Sequence, residues 1–176
     1  MRTIPADIAE RFEVGPLVSK RADLSTLDVD SKDVPELLAR LRDRHGYRHL
    51  SFATATDLIE EGVFVLTYML HNHEERHSLG VKCRIGRENA TMESCHLLWE
   101  QMWTYQREMK ELFGIDFPGS PRVDESFVLE GWIDIPPMRR EFDTREYSER
   151  TFPTRPGRST KDPATHMKEK LYPEAL

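Results

Sequence analysis

Residues 101–142 read QMWTYQREMKELFGIDFPGSPRVDESFVLEGWIDIPPMRREF, and this stretch decides how the fold is organised. Just before it and through its first part, apolar residues recur at three- and four-residue steps, with one polar member among them. They are Met92, Cys95, Leu98, Trp99, Met102, Gln106, Met109, Leu112 and Phe113. This period is typical of one face of an amphipathic helix. Because Gly114 and Pro118 are residue types that end helices, the pattern predicts a helix from about Met92 to Phe113.

Large apolar side chains continue beyond Gly114, but prolines and glycines interrupt them repeatedly. The apolar residues are Ile115, Phe117, Val123, Phe127, Val128, Leu129, Trp132, Ile133 and Ile135. The interruptions are Pro118, Gly119, Pro121, Gly131, Pro136 and Pro137. Such a segment cannot satisfy its own backbone in long regular structure, so its aromatic groups must anchor against another surface. The pattern predicts a surface arm, and composition leaves open whether it packs on this domain's core or on another subunit.

The remaining chain supplies a sheet and further helices. A short helix from about Pro5 and then a strand are expected near the N-terminus, and Asp33 and Pro35 indicate the start of a helix that ends at Gly46. Three segments have strand-like composition: His49–Thr56, Val63–Leu70 and Ser78–Ile85. Short links between them predict an antiparallel meander. The expected fold class is α+β, with a small antiparallel or mixed sheet covered by helices and an extended C-terminal arm.

The order of residues in the opening stretch resembles the signature of the complex I thirty-kilodalton subunit family. That family comprises the C subunit of respiratory NADH-quinone oxidoreductases and related subunits of energy-converting membrane-bound nickel–iron hydrogenases. The matching residues are Arg107, Glu108, Glu111, Leu112, Phe113, Gly114, Ile115, Phe117, Gly119, Pro121, Trp132 and residues 137–142.

The chain also departs from the family pattern. Gln106 and Ser120 stand where the family usually has Glu and His, and Glu111 stands in place of Asp. Residues 138–140, Met-Arg-Arg, replace Leu-Arg-Lys, and Trp103 lies one residue from the usual Trp. These departures favour a divergent branch of the family.

The resemblance implies a cofactor-free accessory subunit in the hydrophilic arm of a membrane-bound oxidoreductase, peripheral to the membrane on its cytoplasmic side. Such a subunit would clamp the large catalytic subunit during electron transfer coupled to ion translocation. Iron–sulfur clusters and a quinone or nickel–iron centre would belong to partners, which include iron–sulfur subunits and membrane subunits that translocate ions. The residues expected at the partner interface are Arg107, Glu108, Glu111, Phe113, Gly114, Phe117, Trp132, Arg139, Arg140, Phe142, Tyr147 and Phe152.

Length and charge fit this expectation. The chain has 176 residues, 38% of them hydrophobic and 32% charged, with a formal net charge of −6. One domain over residues 1–142 and a partner-docking tail over residues 143–176 are predicted. No apolar run approaches the roughly 18–20 residues needed to cross a bilayer, and the N-terminus lacks a signal-peptide pattern, so we expect a cytoplasmic protein. The negative charge argues against nucleic-acid binding.

The tail is rich in charge and proline, which is typical of a disordered terminus or of an arm ordered by a partner. Tyr147 and Phe152 are candidate anchors in it, and residues 166–171 could form one or two helical turns. Both interpretations of the tail stay open at the level of sequence.

One motif suggests a different chemistry. Residues 71–77 read HNHEERH and contain H-E-x-x-H, which binds zinc when it lies on a stable helix. A stand-alone metal-dependent hydrolase that uses His71, His73 and His77 is therefore an alternative function, and a monomeric binding module is another. The motif links two strand-like segments, however, which favours a polar hairpin loop.

Other chemistry has no support in the sequence. Cys83 and Cys95 lack Cys-x-x-Cys spacing, which predicts free structural thiols and argues against an iron–sulfur cluster held by this chain alone. No P-loop or G-x-G-x-x-G segment occurs. Arg107 and Glu111, at i, i+4 spacing, could form an exposed helix pair instead of an interface.

Overall fold

The computed structural model describes residues 3–152, which fall into two compact units that join between Phe142 and Asp143. Within these residues the first unit contains a sheet and three α-helices, and the second contains one α-helix. No helix in this part of the chain has the length and apolar character needed to span a membrane.

Five strands form one mixed sheet. They are β1 (Val18–Arg21), β2 (Leu24–Asp28), β3 (His49–Leu58), β4 (Val63–Asn72) and β5 (His77–Gly86). Their order across the sheet is β1-β2-β5-β4-β3, with β2 and β5 parallel and the other neighbours antiparallel. The predicted α+β class and the predicted meander of three strands, β3 to β5, are both confirmed. One strand near the N-terminus was expected, and there are two.

The core lies on one face of the sheet. Strand β4 alternates buried and half-buried residues along its whole length, because successive side chains of a strand point to opposite faces. Helices α1 (Ala6–Ala9), α2 (Val34–Arg44) and α3 (Met102–Phe113) contribute to the same hydrophobic cluster. Its fully buried members include Ile8, Leu37, Leu38, Leu41, Phe64, Leu66, Tyr68, Leu70 and Met102. Burying each such side chain contributes about 1.5–3 kcal/mol.

Helix α2 begins where the sequence predicts, but Asp33 is not its capping side chain. A 3-10 turn, Ser31–Asp33, precedes the helix, and the Asp30 carboxylate accepts a hydrogen bond of 3.1 Å from the Lys32 N–H. Among the described residues, Asp33 makes no side-chain cap bond. The predicted end is confirmed, since Gly46 follows the last turn with a φ of 73°.

Helix α3 starts ten residues later than predicted, at Met102 instead of Met92. The Met92 N–H donates to the Asp116 carbonyl and the Asp116 N–H to the Ala90 carbonyl, at 2.9 and 2.8 Å. This pairing keeps residues 90–92 extended. Met92 and Cys95 are buried as the pattern requires, but in a chain of turns, so their spacing misled the helix prediction.

The segment after Gly114 is a surface arm only in part. Ile115 and Phe117 are fully buried in the core, which corrects their assignment to the arm. The later residues, 118–142, form successive turns over the surface of the first unit.

The second unit begins with helix α4 (Thr144–Thr151), which was not predicted. The Asp143 carboxylate caps it by accepting from the Arg145 and Glu146 N–H groups, at 2.9 and 3.0 Å. The helical turns predicted at residues 166–171 lie outside the described residues.

Candidate partner interface

The Pro-Met-Arg-Arg-Glu-Phe sequence of residues 137–142 folds back onto the end of α3. Arg139 Nε donates to the Phe113 carbonyl oxygen at 2.7 Å, and the Met138 N–H donates to the Leu112 carbonyl oxygen at 3.0 Å. The last carbonyls of a helix lack partners within the helix and attract positive charge. Arg139 therefore completes the C-terminus of α3.

Gly114 makes this contact possible. Its φ of 75° is a left-handed conformation that favours glycine, and an added Cβ would lie 3.2 Å from both Arg139 Nη2 and Pro136 Cγ. Gly114, which ends helix α3 as predicted, therefore also leaves room for the Arg139 side chain.

A buried carboxylate fixes the same segment to the sheet. Asp57, whose side chain is 1% exposed, accepts from Arg87 Nε at 2.7 Å and Arg87 Nη2 at 2.9 Å. It also accepts the Arg140 N–H at 2.9 Å, while Arg87 contacts Glu141 as well. We call Asp57, Arg87, Arg139, Arg140 and Glu141 the clasp.

Electrostatics favour the charged form of Asp57. Burial raises the pKa of this carboxyl, but hydrogen bonds from Arg87 and from the Arg140 N–H, with the nearby guanidinium charges, outweigh burial and hold the pKa below its usual value. The clasp is therefore an ion pair over the neutral pH range.

Glu111 organises the loop that leads to the clasp. Its carboxylate accepts three backbone N–H groups, from Phe127 at 2.7 Å, Val128 at 2.8 Å and Leu129 at 3.0 Å. It therefore holds a loop, and it does not form the helix pair with Arg107 that its spacing allows.

Arg107 lies close to two aromatic rings. Its guanidinium carbon is 5.7 Å from the Trp103 ring centroid and 5.2 Å from that of Phe127. Its Nε is buried and has no hydrogen-bond partner among the described residues. Arg122 lies 5.7 Å from the Trp103 ring and pairs with Glu125. The side chains of Arg107 and Glu111 therefore make separate contacts from the same helix.

Gln106 and Ser120, two of the departures from the family pattern, contact each other. Gln106 is fully buried, and its Oε1 accepts from Ser120 Oγ and from Ser94 Oγ, both at 2.7 Å. Its Nε2 is buried and has no hydrogen-bond partner in the described part of the chain. The two departures thus lie in a single buried polar cluster.

The other predicted interface residues are distributed between core and surface. Phe113 and Phe117 are buried, and Glu108 is half-buried on α3. Trp132 donates from Nε1 to the Ile135 carbonyl at 3.0 Å, and its ring centroid is 5.5 Å from that of Phe142.

Four exposed apolar side chains of the loop segment were not among the predicted interface residues. Val128, Ile133, Ile135 and Met138 are exposed within eleven residues, with Ile133 99% exposed and Val128 67% exposed. In the second unit, Phe152 is exposed and its ring lies 6.4 Å from that of Tyr147. The prolines and glycines between the apolar residues were the sequence feature that indicated the exposure of Val128, Ile133, Ile135 and Met138.

The three histidines proposed as metal ligands do not converge, which corrects that hypothesis. His77 is buried on the core face, where Nδ1 contacts Tyr47 Oη at 2.8 Å and Nε2 contacts Ser25 Oγ at 3.1 Å. The rings of His71 and His73 lie 4.7 Å apart in the hairpin between β4 and β5, where the predicted polar loop is found. Residues 3–152 contain no group of three or more His, Cys, Asp or Glu that could hold a metal ion.

The surroundings of Ser25, Cys83 and Cys95 determine whether these side chains can react. A cleft of about 580 Å³ is lined by Tyr47 and His77, but Ser25, the potential nucleophile beside His77, is only 2% exposed. Burial also raises the pKa of the Cys83 and Cys95 thiols to about 12, which leaves them unreactive at neutral pH. Both cysteines are free and buried, as predicted.

The fold is that of a small α+β domain, and in this chain a loop segment after the last core helix is fixed to the sheet by buried charges. The chain belongs to the respiratory-chain NADH dehydrogenase 30 kDa subunit family, whose pattern it matches over residues 27–148. The resemblance in its sequence is thereby confirmed.

Relatives of known name are similar over most of their length. The C subunit of the NADH-quinone oxidoreductase of Citrifermentans bemidjiense is 26% identical over 118 residues, which cover 66% of this chain and 73% of the relative. The equivalent C subunit from Moorella thermoacetica is 25% identical, covering 71% and 84%. The J subunit of the chloroplast NAD(P)H-quinone oxidoreductase of Lemna minor is also 25% identical, covering 72% and 81%.

Solved structures share the fold. A chain of an archaeal membrane-bound sulfane sulfur reductase, a respiratory membrane complex, superposes with a TM-score of 0.71 at 22% identity and covers 84% of this chain and 87% of that one. A trypsin-resistant fragment of Nqo5 gives a TM-score of 0.54 at 18% identity, covering 64% and 90%.

Proposed function

We propose that this chain is a cofactor-free accessory subunit of a complex I-like membrane-bound respiratory complex or a related energy-converting hydrogenase. It clamps the large catalytic subunit in the hydrophilic arm, on the cytoplasmic side of the membrane. Electron transfer and ion translocation belong to the partners: the large subunit with its quinone pocket or nickel–iron centre, the iron–sulfur subunits and the membrane subunits.

The family membership supports the assignment to a respiratory complex, and the observation that carries the clamping role is the exposed segment 128–138. Glu111 fixes the N-terminal end of this segment and the clasp fixes its C-terminal end. Four large apolar side chains are nevertheless left facing solvent. A segment that is anchored at both ends and apolar at its surface has the properties of a preformed docking surface.

The buried charges contribute to this role by ordering the surface before a partner arrives. An interface whose loops are already fixed loses less conformational entropy on binding. The matched relatives and structures come from both quinone and sulfane sulfur reductases. The same fold is therefore found in complexes named for different electron acceptors, which is what we expect if the chemistry lies in other subunits.

The test is affinity purification of the tagged chain from gently solubilised native membranes, with mass spectrometry of the proteins that accompany it. We expect a large subunit related to nickel–iron hydrogenases, iron–sulfur proteins and multi-spanning membrane proteins. Recovery of the chain alone from both the membrane and the soluble fractions would overturn the proposal and would favour a monomeric binding module. The identity of the large subunit would separate a quinone reductase from a hydrogenase.

A further inference from the structure

We propose that Arg107 receives a carboxylate from an Asp or Glu side chain of the large partner subunit, an inference that rests on the proposed function. The guanidinium is held in place before any partner binds. It lies over the rings of Trp103 and Phe127, and the Phe127 loop is itself fixed by three hydrogen bonds to Glu111. Arg107 is thus an oriented donor.

Arg107 donates no hydrogen bond to a carboxylate within the described residues. Its Nε is buried and makes no hydrogen bond, and no carboxylate in residues 3–152 forms an ion pair with it. Glu111, one helical turn away, is occupied by the loop. Glu125 acts on Arg107 only as a nearby charge, because its carboxylate is hydrogen-bonded to Arg122, and that hydrogen bond is the main cause of the lowered pKa of the carboxyl.

A carboxylate is the partner that fits this arrangement. An arginine that stacks on aromatic rings keeps its N–H edge available, and a carboxylate matches the geometry of that edge. A half-buried guanidinium without an acceptor is unfavourable, so an acid from a partner that also excludes water would bind strongly.

The sharpest test converts the contact into a covalent bond. Arg107→Lys places an amine where the guanidinium lies, and a carbodiimide joins an amine to a carboxylate in direct contact through an amide bond. The variant is expressed in place of the wild type, the complex is purified in its assembled form, treated with carbodiimide and analysed by mass spectrometry. We expect one new cross-link, from position 107 to an Asp or Glu of the large subunit.

The matched control is Arg122→Lys, since Arg122 also stacks on Trp103 but has Glu125 as its partner. Its cross-link is expected within this chain. An intact complex in which position 107 forms no cross-link, or forms one only to an acid of its own chain, would overturn the inference while leaving the proposed function in place.

A second measurement needs no cross-link. Arg107→Gln removes the charge, and we expect at least a tenfold loss in the amount of large subunit that is captured at high salt, with the thermal unfolding of the isolated chain unchanged within a few degrees. Equal capture by wild type and variant would contradict the carboxylate contact. If the wild type itself captures no large subunit, the proposed function fails first, and the inference fails with it.

Discussion

At the scale of single residues, the most informative contact is the one between Gln106 and Ser120. Their side chains share a hydrogen bond of 2.7 Å in a buried site, at two positions where the family pattern has Glu and His. A buried carboxylate needs a charged or strongly donating partner, whereas the neutral amide oxygen of Gln106 is satisfied by two hydroxyl groups. In this chain the two positions form a neutral hydrogen-bonded pair.

We predict that Gln106→Glu destabilises the fold by about 1–3 kcal/mol at pH 8 and by less at pH 5. Burial raises the pKa of the introduced carboxyl above its unfolded value of about 4.3, so the folded state retains the proton. The loss of stability therefore grows as the pH rises from about 4.3 to the folded pKa and is complete above it. Urea unfolding of the variant and the wild type at both pH values measures this difference.

The partner substitution supplies the control. Ser120→His in the Gln106→Glu background would offer an imidazole to the carboxylate, and we expect the double variant to be more stable at pH 6 than the sum of the two single changes predicts. Additive effects in this double-mutant cycle would show that the two positions are not coupled.

Asp57 allows a second prediction at this scale. Asp57→Asn removes the charge that holds Arg87 and the Arg140 N–H, and it leaves the half-buried Arg87 guanidinium with Glu141 as its remaining counterion, so we expect a loss of about 1–3 kcal/mol at pH 7. Because the pKa of Asp57 is lowered on folding, its contribution is present above about pH 3.9 and is lost as the pH falls through the folded value. The variant should therefore lose less stability than the wild type between pH 5 and pH 2.5.

Urea unfolding across that pH range makes the measurement. Glu61→Gln is the matched control, since its pair with Arg84 lies on the surface with both side chains about half exposed. We expect that change to cost less than about 1 kcal/mol. Equal losses for the two variants would contradict the role of the clasp as a buried pair.

At the scale of elements, helix α3 carries Glu111, the side chain that fixes the loop after the helix. Glu111→Ala removes the acceptor of three N–H groups, and we predict that hydrogen exchange at Phe127, Val128 and Leu129 accelerates at least tenfold while that of the sheet is unchanged. Glu108→Ala, on the same helix, is the control, and we expect no change in those amides. Unchanged protection in the Glu111 variant would mean that other contacts hold the loop.

Some helices and strands could be predicted from residues close to them in sequence, and others could not. Strands β3 to β5 alternate in burial and have short links, and Gly114 ends α3, so these features could be predicted from nearby residues alone. The position of strand β2 in the sheet could not, because β2 pairs in parallel with β5, more than fifty residues along the chain. Asp143 and Glu146 carried a local capping signal for α4 that was available in the sequence.

The candidate site could likewise be predicted only in part from the sequence. The residue types predicted that residues 101–142 carry the partner interface. The contacts that fix this stretch, however, join positions far apart in sequence, such as Asp57 with Arg87 and with the Arg140 N–H. Spacing alone suggested a pair between Arg107 and Glu111, whereas the folded chain gives Glu111 to a loop. Buried charge pairs of this kind depend on tertiary structure, which no periodicity reports.

At the scale of the whole molecule, stability and assembly should depend on different residues of the same segment. Arg139 and Asp57 hold the segment to the domain, so changing them will disturb both properties. Ile133 is 99% exposed and therefore gives a cleaner test. We predict that Ile133→Asp changes the free energy of unfolding of the isolated chain by less than about 0.5 kcal/mol, because substitutions at exposed sites are usually this small.

The same variant should weaken assembly, since a charge in the centre of an apolar contact must be desolvated without a partner. We expect at least a tenfold fall in the large subunit recovered with the tagged variant from native membranes. Leu97→Asp, at another strongly exposed apolar residue outside segment 128–138, serves as the control and should leave recovery unchanged. Equal losses from both variants would mean that the complex is sensitive to surface charge in general, and normal recovery with Ile133→Asp would place the partner contact elsewhere on this chain.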